Sequence, residues 1–145
     1  MSVDVRTETI IARPRLEVAA YAMDPDNAPT WYVNIQSVEW ETPKPLAVGS
    51  RLAFVAQFLG RRMAYTYEIT ELVEGERLVM TTAQGPFPMT TEYAFEDVDG
   101  GTRMRLRNHG EPSGFKKLMG GMMAGAMRKA NAADLASIKA LLEST

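Results

Sequence analysis

Residues Val3 to Ile11 place Val3, Val5, Thr7 and Thr9 on one parity and Asp4, Arg6, Glu8 and Ile10 on the other. Alternation with period two predicts a half-buried strand. Pro14 ends it and suits the first turn of a helix. Leu16, Ala19, Ala20 and Met23 then recur at helical spacing as far as Asp24-Pro25, where the proline restricts the residue before it. Asp26-Asn27-Ala28-Pro29 offers capping side chains and an early-turn proline, which predicts a second short helix over Thr30 to Asn34.

From Ile35 the helical period is gone. Six further strands are expected, at Ile35 to Glu41, Arg51 to Phe58, Arg62 to Val73, Arg77 to Ala83, Met89 to Asp97 and Thr102 to His109, each rich in β-branched and aromatic residues. Their separators are turn chemistry: Pro43 to Gly49, Leu59-Gly60-Arg61, Glu74-Gly75-Glu76, Gln84 to Pro88 and Asp99-Gly100-Gly101. Most are short enough for hairpins, so consecutive strands should pair antiparallel. After Glu111-Pro112-Ser113-Gly114 helical spacing returns, from Phe115 to about Leu142 with no proline inside. At about 1.5 Å per residue this helix runs roughly 40 Å. The sum is an α+β chain: a seven-stranded antiparallel sheet with two short helices after its first strand, its apolar face covered by the one long helix.

The chain has 145 residues, the size of one domain able to bury about two-thirds of its unfolded surface. No linker, repeat or low-complexity tract divides it, so residues 1–145 are expected to form a single domain. A formal net charge of −2 gives no reason to propose a nucleic-acid partner. The absence of cysteine excludes disulfides, thiolate metal sites and cysteine nucleophiles, and a cytoplasmic home fits best. Met1 to Thr9 carries Asp4, Arg6 and Glu8 in place of a basic start and an apolar run, and no apolar stretch approaches roughly 18 residues. Neither a signal peptide nor integral membrane association is expected. Nothing predicts an oligomer.

The stretch Asp24-Pro25-Asp26-Asn27-Ala28-Pro29-Thr30-Trp31-Tyr32, with Tyr67-Glu68-Ile69-Thr70-Glu71 and Arg77-Leu78-Val79 after it, resembles the START-like, Bet v 1-like superfamily (SRPBCC). Within it, the similarity is to the bacterial polyketide cyclase/dehydrase-type group. The resemblance covers nearly the whole chain. It implies a helix-grip fold, a curved sheet wrapped around the C-terminal helix with an apolar cavity between them. It leaves function open, since such families include lipid and hormone carriers, aromatase/cyclases, quinone-binding proteins and co-chaperone-type modules, and fold does not choose among them. None of their catalytic residues belongs to a motif matched here.

Strand parity assigns the inner face. Leu52, Phe54, Ala56 and Phe58 share one side of their strand. Met63, Tyr65, Tyr67 and Ile69 do so on the next, as do Met89, Thr91, Tyr93 and Phe95, then Met104, Leu106 and Asn108. The candidate ligand-binding set on these strands is Phe54, Phe58, Met63, Tyr65, Tyr67, Met89, Thr91, Tyr93, Leu106 and Asn108. From the last helix come Met119, Met122 and Met123. Buried hydroxyls and amides must find partners. Those partners are protein or water around a filled core, or a ligand in an open one.

On the final helix Met119, Met122, Met123, Ala126, Met127, Ala130, Ala133, Ile138 and Leu141 fall on one side, with Lys117 and Arg128 opposite. A methionine stripe serves a core, and its flexibility also suits ligands of varied shape. Gly114, Gly120, Gly121 and Gly125 each cost about 1 kcal/mol relative to alanine inside a helix. Gly114 to Gly125 is therefore expected either to bend and admit ligand, with Pro86-Phe87-Pro88 as a second lip, or to permit close packing. His109, the only histidine, rules out multi-histidine metal sites, and no metal or other cofactor is called for. It is expected as a solvated turn residue, with an acid/base role at the cavity mouth as the alternative. Arg103, Arg105 and Arg107 form a row that either pairs with Glu92 and Glu96 or attracts an anion. Trp31 and Trp40 read as staples for the second helix.

Three functions follow. The first is a binding protein for an apolar molecule, a lipid, quinone or aromatic polyketide-like compound, oriented by Tyr65, Tyr67, Tyr93 and Asn108. The second is a cyclase or dehydratase in which a tyrosine or His109 moves a proton. The third is a protein-interaction module whose interior is filled by side chains.

Overall fold

The computed structural model describes residues 3–84, 88–111 and 120–144, with side chains from 123 onward in the last stretch. Strand β1, Val3–Ile11, is followed by helix α1, Arg15–Ala22, a single 3₁₀ turn at Pro25–Asn27, and the one-turn helix α2, Ala28–Trp31. Six strands follow: β2 Ile35–Trp40, β3 Arg51–Phe58, β4 Arg61–Val73, β5 Arg77–Gln84, β6 Met89–Val98 and β7 Gly101–Gly110. Helix α3, Gly120–Glu143, comes last.

All neighbours in the sheet are antiparallel, in the order β1-β7-β6-β5-β4-β3-β2. Leu59 and Gly60, between β3 and β4, both have positive φ, 52° and 72°, the backbone of a two-residue hairpin whose twist matches its flanking strands. Strand β1 instead crosses the sequence to pair with β7, Val5 opposite Asn108 and Thr9 opposite Met104. Gly101 is required at that junction: a Cβ there would lie 2.1 Å from the Ile11 carbonyl oxygen.

Bulges curl the sheet around α3. The β4–β5 register shifts between Thr66 and Tyr67 and again between Ile69 and Glu71, and β2 shifts between Ile35 and Ser37. An extra residue bends a strand and raises its twist. It also changes which side chains face inward: beyond Ile69 it is Leu72 that packs on the core. The concave face holds Ile11, Leu52, Ile69, Met104 and Leu106, all fully buried. They meet Leu135 and Ile138 of α3 and Trp31 of α2 in one cluster.

Two helical expectations are corrected. The second short helix begins at Ala28, not Thr30, because Pro29 sits in the first turn where a missing N–H costs nothing. It stops at Trp31 because the chain turns away: Tyr32 is extended, and the Val33 N–H is given to the Asp134 carboxylate at 2.8 Å. On α3 the buried face is Met123, Met127, Asn131, Asp134, Leu135, Ile138 and Leu142. Ala133 and Leu141, expected inside, are exposed. An apolar stripe drawn through them is displaced by two polar residues that take the inner face.

The outer face of the sheet is a charge lattice. Arg103 bonds Glu96 at 2.8 Å, Arg105 reaches Glu96 at 3.0 Å and Glu8 at 3.4 Å, and Arg107 is bidentate on Asp4. The arginine row is thus matched by carboxylates from both flanking strands. The Arg107 guanidinium, through hydrogen bonds more than proximity, holds the Asp4 carboxyl down to about 2.

Candidate functional site

Curling the sheet around α3 leaves a cavity of about 130 Å³ between them. Three strands supply its aromatic and thioether wall: Phe54, Ala56 and Phe58 from β3, Met63, Tyr65 and Tyr67 from β4, Met80 from β5. Thr82, Met89, Thr91 and Asn108 continue it across β5, β6 and β7. Helix α3 contributes Met123, Met127, Ala130, Asn131 and Asp134, and the α2–β2 junction contributes Tyr32, Asn34 and Ile35.

The parity argument therefore places Phe54, Phe58, Met63, Tyr65, Tyr67, Met89, Thr91, Asn108 and Met123 around one space. Two others share the face without reaching the cavity. Leu106 is fully buried in the core, and Tyr93 is packed against Trp31 with its hydroxyl 2.5 Å from that of Tyr32. Met119, the Met122 side chain, the glycine-rich stretch before 120 and residues 85–87 lie outside the described residues. Met89, Met123 and Met127 pack with Val3 and Val5 into an apolar cluster that Phe58 and Met63 join.

The polar groups on the sheet are ordered into a chain. Thr91 Oγ1 donates to Asn108 Oδ1 at 2.5 Å, so the Tyr67 hydroxyl, 2.7 Å from the same threonine oxygen, is its donor. Burial pushes the Tyr67 phenol up to about 12, although its bond to Thr91 acts the other way. Burial also drives Tyr32, Tyr65 and Tyr93 well upward, so all four phenols are neutral donors at any physiological pH. Tyr65 stacks on Phe54 with ring centroids 5.8 Å apart and meets Tyr67 edge-on at 5.3 Å.

Sequence reasoning missed the two polar residues on α3. Asp134 is 3% exposed, and burial pushes its carboxyl up to about 7 despite the opposing bond from the Val33 N–H. Asn131 is 6% exposed, and its amide nitrogen has no partner among the described residues. The available signal was their spacing, i and i+3 between Met127 and Ile138, which puts both on the apolar stripe itself.

His109 lies in β7 on the outer face, its Nε2 2.9 Å from Glu92, and it takes no part in the cavity wall. Trp40 donates to Asp26, which also binds Lys44, while Trp31 is buried between α2 and the sheet. Among the described residues no group of His, Asp and Glu gathers in a way that would hold a metal ion, and no helix is long and apolar enough to cross a membrane.

A family model described as polyketide cyclase/dehydrase and lipid transport matches residues 2–143. No curated protein matches the chain. Among solved structures, the backbone is similar to the protein TTHA0849 from Thermus thermophilus, 21% identical, with 98% of this chain and 99% of that one covered and a TM-score of 0.82. It is similar to the Zhui aromatase/cyclase from Streptomyces sp. R1128 at 13% identity, 99% and 94% coverage and a TM-score of 0.82. A START superfamily protein from Mycobacterium smegmatis is 12% identical over 97% of each chain, with a TM-score of 0.84. At these identities the structural likeness speaks for the fold.

Proposed function

The chain belongs to the polyketide cyclase/dehydrase and lipid transport family, with its START-like helix-grip fold, and from that premise we propose that it binds an apolar small molecule in the space between sheet and α3. A lipid, quinone or aromatic polyketide-like compound is the class in view. The observation that carries this is the cavity itself, about 130 Å³ walled by aromatic rings and methionines with a few convergent polar groups. A space of this size, about that which takes a single aromatic ring in other proteins, suits one ring or a comparable length of chain. An open interior also weighs against a module whose core is filled by its own side chains.

Native mass spectrometry of gently purified protein, compared with its denatured mass, tests the proposal. A small-molecule adduct lost on denaturation, or a thermal shift with members of a panel of lipids, quinones and aromatic polyketides, is the expected outcome. Absence of both would remove the binding function.

One observation favours a second reading, a cyclase or dehydratase. The Asp134 carboxyl, held near neutrality in an otherwise apolar wall, has the proton affinity that general acid–base chemistry uses. In that reading Asp134, rather than His109 or a phenol, moves the proton. Conversion of a bound polyketide by the wild type and its loss in Asp134→Asn would distinguish catalysis from carriage.

A further inference from the structure

The polar inventory of the cavity is lopsided. Asn108 spends its carbonyl oxygen on Thr91, and its amide nitrogen has no partner among the described residues. Asp134 spends Oδ1 on the Val33 N–H. The Tyr65 hydroxyl lines the cavity without a hydrogen bond to any described residue, and the Asn131 amide nitrogen is buried without one. Acceptors are used, whereas donors from three elements are left over: Tyr65 on β4, Asn108 on β7 and Asn131 on α3. A buried donor without a partner costs about 1–3 kcal/mol, a cost that a ligand acceptor would relieve.

The charge inventory is equally one-sided. No Arg, Lys or His stands among the described cavity residues. The titratable groups that face Asp134 are Tyr32 from the α2–β2 junction, Tyr65 from β4 and Tyr93 from β6, all neutral phenols. An anion brought here would lose its hydration with no countercharge, at a cost of several kcal/mol. Below its titration midpoint of about 7 the Asp134 carboxyl adds a further donor.

Resting on the binding function proposed above, we infer that the cavity selects neutral molecules bearing a hydrogen-bond acceptor, a ketone or quinone carbonyl above all, and rejects carboxylates. The acceptor lies toward Tyr65, Asn108 and Asn131, and the hydrocarbon remainder lies among the methionines. Free fatty acids and other carboxylate-headed lipids are accordingly poor ligands.

Four one-ring probes of nearly equal size separate the possibilities: acetophenone, ethylbenzene, benzoate and benzylamine, each titrated by ligand-observed NMR into wild type, Asn131→Leu and Tyr65→Phe at about pH 6. Using the ratio of ethylbenzene to acetophenone Kd cancels their different hydrophobicity. Removing one donor should lower that ratio by about tenfold in at least one variant, the equivalent of one hydrogen bond, and benzoate should bind at least tenfold more weakly than acetophenone. An unchanged ratio in both variants, benzoate binding as tightly as acetophenone, or benzylamine binding more tightly than either would overturn the inference while leaving an apolar binding site in place. Binding of none of the four would remove the binding site as well.

Discussion

Asp134 sits where a polar residue on an amphipathic helix is least expected, and the reason it was hidden in the sequence is physical. Period alone places a side chain on a face, but polar residues default to the wet one. Only the arrival of the Val33 N–H, 101 positions away, gives the carboxylate a reason to be inside. Asn131 is concealed in the same way. The consequence is a pH dependence whose sign can be worked out. The folded carboxyl titrates near 7, against a model value of 3.8. Its contribution is therefore fully present below about pH 4 and is lost as pH rises to about 7. Asp134→Asn, whose amide oxygen still accepts from Val33, should match wild type near pH 4 and exceed it above pH 7, by on the order of a few kcal/mol at most. Melting curves from pH 4 to 8.5 check this; parallel Tm profiles would contradict a buried, uncompensated carboxyl.

At the scale of elements, strands were legible because two independent signals agree in each: period-two alternation within the strand and turn chemistry at its ends. Thus β3, β4 and β7 appear almost where the pattern sets them, while α2 does not, since a single turn carries too few residues to show a period. The β3–β4 hairpin also carries a local conflict. Leu59 holds φ at 52°, a conformation in which Asn is far more at ease than a branched apolar residue. Leu59 is 37% exposed, so little burial is forfeited on replacement. Leu59→Asn should stabilise the protein by about 0.5–1 kcal/mol, seen as a higher urea midpoint with an unchanged slope. On β6, Glu92 gathers His109, Arg77 and Arg107. Burial alone would raise its carboxyl, but these partners win and lower it. Glu92→Gln should cost about 1 kcal/mol at neutral pH, a deficit in the urea midpoint that shrinks as acid protonates the wild-type carboxyl.

For the molecule as a whole, the helix-grip arrangement was legible from element order, whereas the open interior was not. Parity identifies which side chains face inward but not whether they touch. Tyr93 and Leu106 face inward and are packed, while Tyr65 and Tyr67 face inward and border empty space. The difference lies in what stands opposite: Trp31 lies against Tyr93, whereas α3 offers the small Ala130 to the cavity. Ala56→Phe turns this into a measurement. In a filled core such an enlargement costs about 1–3 kcal/mol. Here the ring has a cavity to enter, so the variant should remain within about 1 kcal/mol of wild type and lose the thermal shift given by any ligand of this site. A strongly destabilised Ala56→Phe protein would mean that the space is not available to a side chain.

The pairing of β1 with β7 has a consequence in time. Val3 lies opposite Gly110, so the first of these strands to leave the ribosome cannot close its ladder until the last has been made. At about 5–20 residues per second, that leaves β1 waiting for several seconds with its edge unsatisfied. Its alternating charges, Asp4, Arg6 and Glu8, are then what discourages it from pairing with a neighbouring nascent chain, so the acidic residues that later bind the arginines of β7 guard the strand before β7 exists.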